Sequence, residues 1–577
     1  MIHQRDCSLI IQSDLSILLD ERKPGANEAR ELLILVAEAE KRTGRMHTYR
    51  ISPMSLWNGL STGIAWPEIH EALLSHARYG IPAQAEASLR TWADRLGKLT
   101  LSAVNGRLLL SGDEEMIEEL RRRPGLSSWF TGSLSASEWE LDPNCRGLFK
   151  QELTRLGYPV IDRAGYHEGQ TLDVRLKERT GFGQPFAPRA YQQAAVNRFL
   201  EENSMHGGSG VVVLPCGTGK TIVGLAALAR LSAETLILTS SVISARQWKD
   251  ELLDKTTLAE HEVGLYAGSG KEVRPVTIAT YQLLTRRRQK DGEFTHMKLF
   301  WDRDWGLILY DEVHMLPAPV FRMTASIQAT RRLGLTATLI REDGCAEDVY
   351  SLIGPKLFDL QWKQAESESY ISEVACTEIR VGLHPLCEEE YAAASPRAQL
   401  RIAAENPSKL AVVKQLLQKH RGKPTLIIGQ YLKQLGETAE ALQAPLLTGN
   451  TLHSERMALY ERFRSGEIGI LVVSKVANIA VDLPDAAVAI QLSGSFGSRQ
   501  EEAQRIGRLL RPKKGGNHAW FYSLVTNHTK EALFAAKRQL FMLEQGYSYE
   551  QLNAAEQQEQ QDRQPGSRVP LTEASQI

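Results

Sequence analysis

The stretch VVVLPCGTGKT at positions 211–221 ends on a lysine and a hydroxyl, Lys220 and Thr221. Before them stand Pro215, Cys216, Gly217, Thr218 and Gly219, and before those an apolar run fit for a buried strand. Glycines let backbone amides turn inward where a Cβ would obstruct, so this loop can cradle an anion. The helix expected over TIVGLAALARL begins where its free amides favour negative charge. The chemistry is that of a polyphosphate site. Lys220 reaches the β- and γ-phosphates of ATP, and Thr221 gives its hydroxyl to Mg²⁺. Leu214 departs from the usual phosphate-loop pattern, which has glycine there.

About ninety residues on, GLILYDEVH lifts an acidic pair to the end of an apolar strand. Asp311 can hold Mg²⁺, and Glu312 can orient and deprotonate an attacking water. Neighbouring side chains of a strand point to opposite sides, so one of the two must leave regular geometry. The plain alternative is an acidic strand cap. Further on, EEAQRIGRLLRPKK carries Arg505, Arg508 and Arg511 three apart on one helical face. Guanidinium groups so spaced can cap a γ-phosphate bound on another domain, or form a solvated basic face.

These residues need strands to position them. GVVVLP, TLILTS, VTIAT and GLILYDE are separated by helix-length segments, and the rhythm returns with PTLIIGQ, IGILVVSK and VAIQLSG. That is the pattern of parallel sheets covered on both faces. The fold class is α/β, with two tandem parallel-sheet domains over 185–345 and 346–545. Ahead of them, 1–125 reads as a small α+β module with Trp57 and Trp92 in its core, and 126–184 as a second short unit. The polar stretch from 546 to 577 reads as a disordered tail.

Bulk properties exclude more than they identify. Lys+Arg number 68 and Asp+Glu 69, so no overall positive field marks nucleic acid and any such contact must be a local cleft. The six cysteines are scattered, with no C-x-x-C pair to suggest a zinc site. Isolated thiols, and charges within the first short apolar run, point to a soluble intracellular protein without a signal peptide.

In order along the chain, AYQQAA, PCGTGKT, DEVH, LTATLIRED, SKVANIAVDLP and AQRIGRLLR resemble the superfamily 2 helicases, and more narrowly the XPB family. The resemblance runs from about Arg189 to Tyr547, and Leu-Pro-Cys-Gly is that family's own form of the loop. It implies RecA-like motor domains and an ATP-dependent DNA helicase opening duplex 3′ to 5′ in repair. It also implies a DNA partner, a possible repair nuclease, and a cytoplasmic, nucleoid-associated place if the source is bacterial. Residues 1–125 look like the extra N-terminal domain of bacterial relatives, and 126–184 lies where a small damage-recognition domain stands.

The same resemblance implies that Gln192, after Arg189, reads the adenine edge, and that Gln504 and Arg505 join the nucleotide site. Thr336 and Thr338 would link nucleotide state to the strand surface. Arg341, Glu342 and Asp343 match the triplet associated with duplex opening, and His314 falls at the domain interface. Residues 384–406 stand where a thumb-like element is inserted, with Arg397 and Arg401 but also Glu388, Glu389, Glu390 and Glu405.

A motor stepping along one strand needs backbone contacts without base readout. Strand ends offer Ser240, Ser241 and Thr280 in the first domain, and Thr448, Gly449, Ser474 and Lys475 in the second. Asp482 is better placed for the nucleotide. Each hydroxyl reads equally as a local helix cap. Besides a helicase, the motifs allow an ATP-gated DNA clamp or scaffold in a repair assembly.

Overall fold

The computed structural model describes residues 6–43, 46–201, 207–287, 294–328, 330–337, 346–474, 486–494, 506–507, 509, 517–545, 547 and 549–554. They fall into two compact units. The first holds Met1–Ile371, Arg499–Gly507 and Leu540–Tyr547; the second is built on Ser372–Ser498 and Arg508–Gln539, with the segment from Ser548.

The N-terminal strands β1 (Leu9–Ile11), β2 (Ser16–Asp20), β3 (Glu38–Thr43) and β4 (Met46–Arg50) make an antiparallel sheet in the order β1-β2-β4-β3. Leu19, Leu33, Val36 and Tyr49 fill its core, and Leu540 and Leu543 pack there too. Trp57 is buried, as expected of a core aromatic, and donates its indole N–H to Trp92 O at 2.8 Å. Its ring also meets Tyr350 at 6.2 Å, so it cements this module to the rest of the unit.

A five-stranded sheet follows: β5 (Leu99–Val104), β6 (Arg107–Ser111), β7 (Phe130–Ser133), β8 (Glu138–Leu141) and β9 (Val160–Arg163), in the order β7-β8-β6-β5-β9. The division expected at 125/126 therefore falls inside one sheet. Local patterning marks strands but not partners, and β6 finds its partner β8 across an intervening helical stretch. The helix Arg146–Arg155 buries Phe149 and Leu153 under this sheet. Its Lys150 bridges Asp162 at 2.8 Å and Gln328 Oε1 at 2.7 Å, tying the sheet to the parallel domain that follows.

That domain has seven parallel strands: β10 (Ser209–Val213), β11 (Thr235–Thr239), β12 (Val263–Tyr266), β13 (Val276–Thr280), β14 (Leu307–Asp311), β15 (Arg331–Thr336) and β16 (Lys356–Asp359). Their order is β12-β13-β11-β14-β15-β10-β16. β10, β11, β13 and β14 are buried along their whole length, which explains their unbroken apolar runs. β16 extends this sheet beyond the boundary expected at 345, because LFDL after the Gly354 turn pairs with β10.

The second unit repeats the theme with β17 (Glu373–Val381), β18 (Thr425–Gly429), β19 (Leu446–Leu447), β20 (Ile470–Ser474), β21 (Val488–Gln491), β22 (His518–Thr526) and β23 (Tyr549–Asn553). All pairings are parallel, in the order β19-β20-β18-β21-β22-β17-β23. β23 corrects the expectation of a tail from 546: Tyr549 is buried and the strand completes the sheet edge beside β17. Residues 555–577, the rest of that expected tail, lie outside the described residues. Among the described residues, no helix is long and apolar enough to cross a membrane.

One buried ion pair anchors the second unit. Lys409 Nζ donates to both Glu531 carboxylate oxygens at 2.8 Å and to Leu492 O at 2.8 Å, while Thr526 N donates to Glu531 at 2.9 Å. Removing one charge strands the other in the core. Glu531→Leu is expected to destabilise this unit by about 3–5 kcal/mol. Lys409→Met in the same chain should recover most of that loss, and urea unfolding of the three variants measures it.

Candidate active site

The first site elements stand at the carboxyl ends of β10, β14 and β15, the crevice side of an open parallel sheet. After β10 the chain turns through Gly217 (φ 85°) and Gly219 (φ 80°), both left-handed, before the helix Lys220–Leu231 begins. A Cβ at Gly219 would lie 2.8 Å from Gln192 Nε2, so glycine is required there for space as well as for backbone freedom. Thr218 is buried and donates its hydroxyl to Pro215 O at 2.7 Å, pinning the loop's width. Tyr191 OH at 2.6 Å and Gln192 Nε2 at 2.8 Å both donate to Thr218 O, while Gln192 Oε1 accepts from Arg189 N at 2.8 Å. The loop and the Arg189–Gln192 segment are thus one hydrogen-bonded body.

Lys220 Nζ lies 2.5 Å from Glu312 Oε1. Glu312 takes the left-handed conformation (φ 53°), the departure from strand geometry that the adjacent acids demanded. Asp311 keeps the strand direction. Its Oδ2 accepts from Ser244 Oγ and from Trp248 Nε1, each at 3.0 Å, and its backbone carbonyl accepts from Tyr281 OH at 2.9 Å. Trp248 can seat there because Gly224 leaves room: a Cβ at 224 would stand 2.6 Å from the indole ring.

Burial would push the Glu312 carboxyl up, but Lys220 and then His314 outweigh it and hold it below the ordinary glutamate range. Burial likewise opposes the Lys220 charge, and Glu312, Cys216 and Asp311 outweigh it, so the ammonium is held above its usual value. Asp311 goes the other way: burial first, then the neighbouring Glu312 charge, raise it against the pull of Lys220, Trp248 and Ser244. The pair separates into a firmly ionised Glu312 and a more basic Asp311.

The donors suit magnesium. Thr221 offers a hydroxyl and Asp311 a carboxylate, both hard oxygens, and no cluster of three metal-binding side chains occurs among the described residues. Mg²⁺ is commonly held by one or two such groups plus substrate phosphates and water.

His314 is buried, with Nδ1 2.6 Å from Thr336 Oγ1 and 3.5 Å from Glu312 Oε2. Thr336, at the end of β15, is thereby one hydrogen bond from a side chain touching Glu312. Of the expected strand contacts, Ser241 and Thr280 serve as helix caps, accepting from Ser244 N at 3.1 Å and Leu283 N at 3.4 Å. Ser240 sits half-buried beside them. In the second unit, Thr448 accepts from Asn450 N at 3.2 Å in a turn that includes Gly449, and Ser474 ends β20, buried. The thumb-like stretch forms short helices, Glu388–Ala393 and Pro396–Ala404, and Arg401 pairs with Glu405 at 3.1 Å. Thr338, Arg341, Glu342, Asp343, Lys475, Asp482, Gln504, Arg505, Arg508 and Arg511 lie outside the described residues.

Sequence reasoning passed over Ser244, Trp248 and Tyr281. The first two sit one helical turn apart in SARQWKDE, directly after a strand end, which is a usable signal; Tyr281 gives none. Tyr370 was also unforeseen: its ring lies 4.6 Å from that of Tyr191, with Arg189 over it at 5.4 Å.

Residues 185–341 match the model of the type III restriction enzyme res subunit, and residues 365–569 that of the ERCC3/RAD25/XPB C-terminal helicase. With two parallel-sheet domains in tandem and a phosphate loop on the first, the chain is a RecA-like helicase motor. A third match, to a helicase conserved C-terminal domain, falls on residues 9–133, where the sheets are largely antiparallel and hold no phosphate loop. The chain is 47% identical over 546 residues to the DNA 3′-5′ helicase XPB of Mycobacterium tuberculosis, covering 94% of this chain and 97% of that one. Its likeness to the protein of the same name from Kineococcus radiotolerans is also 47%, over 95% and 97%. The yeast general transcription and DNA repair factor IIH helicase/translocase subunit XPB/SSL2 is 29% identical, over 94% of this chain and 71% of its own. The chain belongs to the XPB family of DNA helicases.

The Lys220–Glu312 pair has a pH signature. Because the Glu312 carboxyl is held low in the folded chain, the pair stabilises above the ordinary glutamate pKa and that contribution is lost as pH falls through the depressed value. Lys220→Ala is expected to destabilise the nucleotide-free protein by about 3 kcal/mol near neutrality. Thermal melts should show the gap from wild type closing on acidification. Trp248→Phe, which removes one donor from Asp311, should lower kcat/KM for ATP about tenfold, as loss of a hydrogen bond to a charge implies.

Proposed function

We propose that this chain is an ATP-dependent DNA helicase that travels 3′ to 5′ and opens duplex DNA in repair. The observation that carries the reading is the Lys220–Glu312–Asp311 arrangement on the crevice side of the first parallel sheet, in a chain with a second such sheet. A γ-phosphate arriving at the loop competes for Lys220, and the released Glu312, already ionised, is set to take a proton from water. Thr221 and Asp311 would hold Mg²⁺, which supplies charge neutralisation on the phosphates when bound. Arg508 and Arg511, with Asp482, Gln504 and Arg505, would complete the site from the second motor domain. Tyr191, Arg189 and Tyr370 would border the base, with Gln192 reading its edge.

DNA would lie across the strand ends, contacted through backbone amides and hydroxyls near Ser240, Ser241, Thr280, Thr448, Gly449, Ser474 and Lys475. Thr336 and Thr338 would relay nucleotide state, and Arg341, Glu342 and Asp343 would act at the point of duplex opening. We place the protein in the cytoplasm, with a repair nuclease among its partners.

Fork unwinding by the purified chain tests this. A 3′-tailed fork should be opened with ATP and a 5′-tailed fork should not. Glu312→Gln should keep nucleotide binding and lose about 10²–10⁴-fold in DNA-stimulated hydrolysis. ATP-dependent changes in DNA affinity without strand displacement would instead establish an ATP-gated clamp.

A further inference from the structure

Glu312 meets Lys220 from a left-handed backbone, at φ 53°. Side chains with a Cβ avoid that conformation, so the surrounding structure must impose it. The backbone angles of a residue relate the two rigid peptide planes that flank it, and holding both planes holds the residue. The plane after Glu312 is held locally: its carbonyl accepts from Met315 N at 2.8 Å, in the single turn Val313–Met315. The plane before it carries the Asp311 carbonyl, which accepts from Tyr281 OH at 2.9 Å, 30 residues away in sequence.

Tyr281 is well placed to keep that bond. It directly follows β13, and its phenol reaches the end of β14 although β11 lies between the two strands. Its own carbonyl accepts from Thr285 N at 3.0 Å and Thr285 Oγ1 at 2.9 Å, which fixes its backbone. Its ring is buried in the same apolar cluster as Val313 and Leu316, just past Glu312. Trp248 and Ser244 hold the Asp311 carboxylate, whereas Tyr281 holds the peptide that Asp311 shares with Glu312. One neutral hydrogen bond is worth about as much as a left-handed residue costs, so losing it is enough to let Glu312 relax toward strand angles.

We infer that Tyr281 is a positioning residue for ATP hydrolysis: its hydroxyl fixes the Asp311–Glu312 peptide and so aims the Glu312 carboxylate. The inference rests on the proposed function, in which Glu312 takes a proton from water, and adds the group that sets its direction. Tyr281 acts through Glu312 and not on the phosphates, so its loss should lower kcat and spare nucleotide binding. The phosphate loop keeps its own supports in Tyr191, Gln192 and the Thr218 hydroxyl.

A double-mutant cycle tests this. Tyr281→Phe keeps the buried ring and removes the hydroxyl; it is compared with Glu312→Gln and with the pair. ATP turnover is measured with DNA present and expressed per site that binds a fluorescent ATP analogue, so unfolded protein does not count. Alone, Tyr281→Phe should lower kcat about tenfold, the scale of one bond lost to a buried acceptor, and change analogue affinity less than about twofold. With Glu312→Gln there is no base left to aim, and adding Tyr281→Phe should then cost less than about twofold. A hydroxyl that only supports the fold would lower turnover by the same factor in both backgrounds. That result, an unchanged kcat in the otherwise native chain, or a loss confined to analogue affinity overturns the inference. Absence of DNA-stimulated turnover in the native chain would overturn the proposed function, and this inference with it.

Discussion

Lys220 and Glu312 face each other at 2.5 Å across two strand ends, and the site follows from holding those opposite charges where water is scarce. Neither could stay ionised so deep alone, since burial opposes the charged form of each. Their mutual attraction keeps both charged. The left-handed turn at Glu312 and the paired glycines before Lys220 are the backbone cost of bringing the two groups together. Asp311 does not share that pairing; its carboxylate is held by Trp248 and Ser244.

The accessory modules share a compact unit with this motor. Lys150 is shared between Asp162 and Gln328, and Arg332 beside them, fully buried, donates to the Leu352 and Gln328 carbonyls at 2.8 and 2.7 Å and to Ser209 Oγ at 3.0 Å. Fully satisfied buried polar networks favour one docking geometry over many, because a slip would strand several donors at once. Trp57 against Tyr350 adds an apolar weld at the N-terminal module. The five-stranded sheet is therefore fixed in one position relative to β10 and its phosphate loop.

Much of this was legible beforehand. Buried parallel strands write themselves as apolar runs, and a phosphate loop needs glycines and a lysine in fixed succession, so β10, β11, β13, β14 and the Lys220 loop could be read directly. The hydroxyls at 241 and 280 were legible only as a choice between cap and phosphate contact, and in the fold they cap helices. The boundaries at 125, 345 and 546 were misplaced for a common reason. Periodicity reports that a strand exists and which faces it buries, while the identity of its neighbour is a long-range property.

Amino-acid order alone determined the candidates: which residues have the types and succession to grip a triphosphate, and that the chain holds two parallel-sheet domains. Tertiary structure alone decided the pairings: that Glu312 and not Asp311 meets Lys220, that Trp248 and Tyr281 lock Asp311, and that β16 and β23 close the two sheet edges. Composition and spacing act along the chain, whereas contact, burial and the charge states that burial imposes exist only once distant segments share a core.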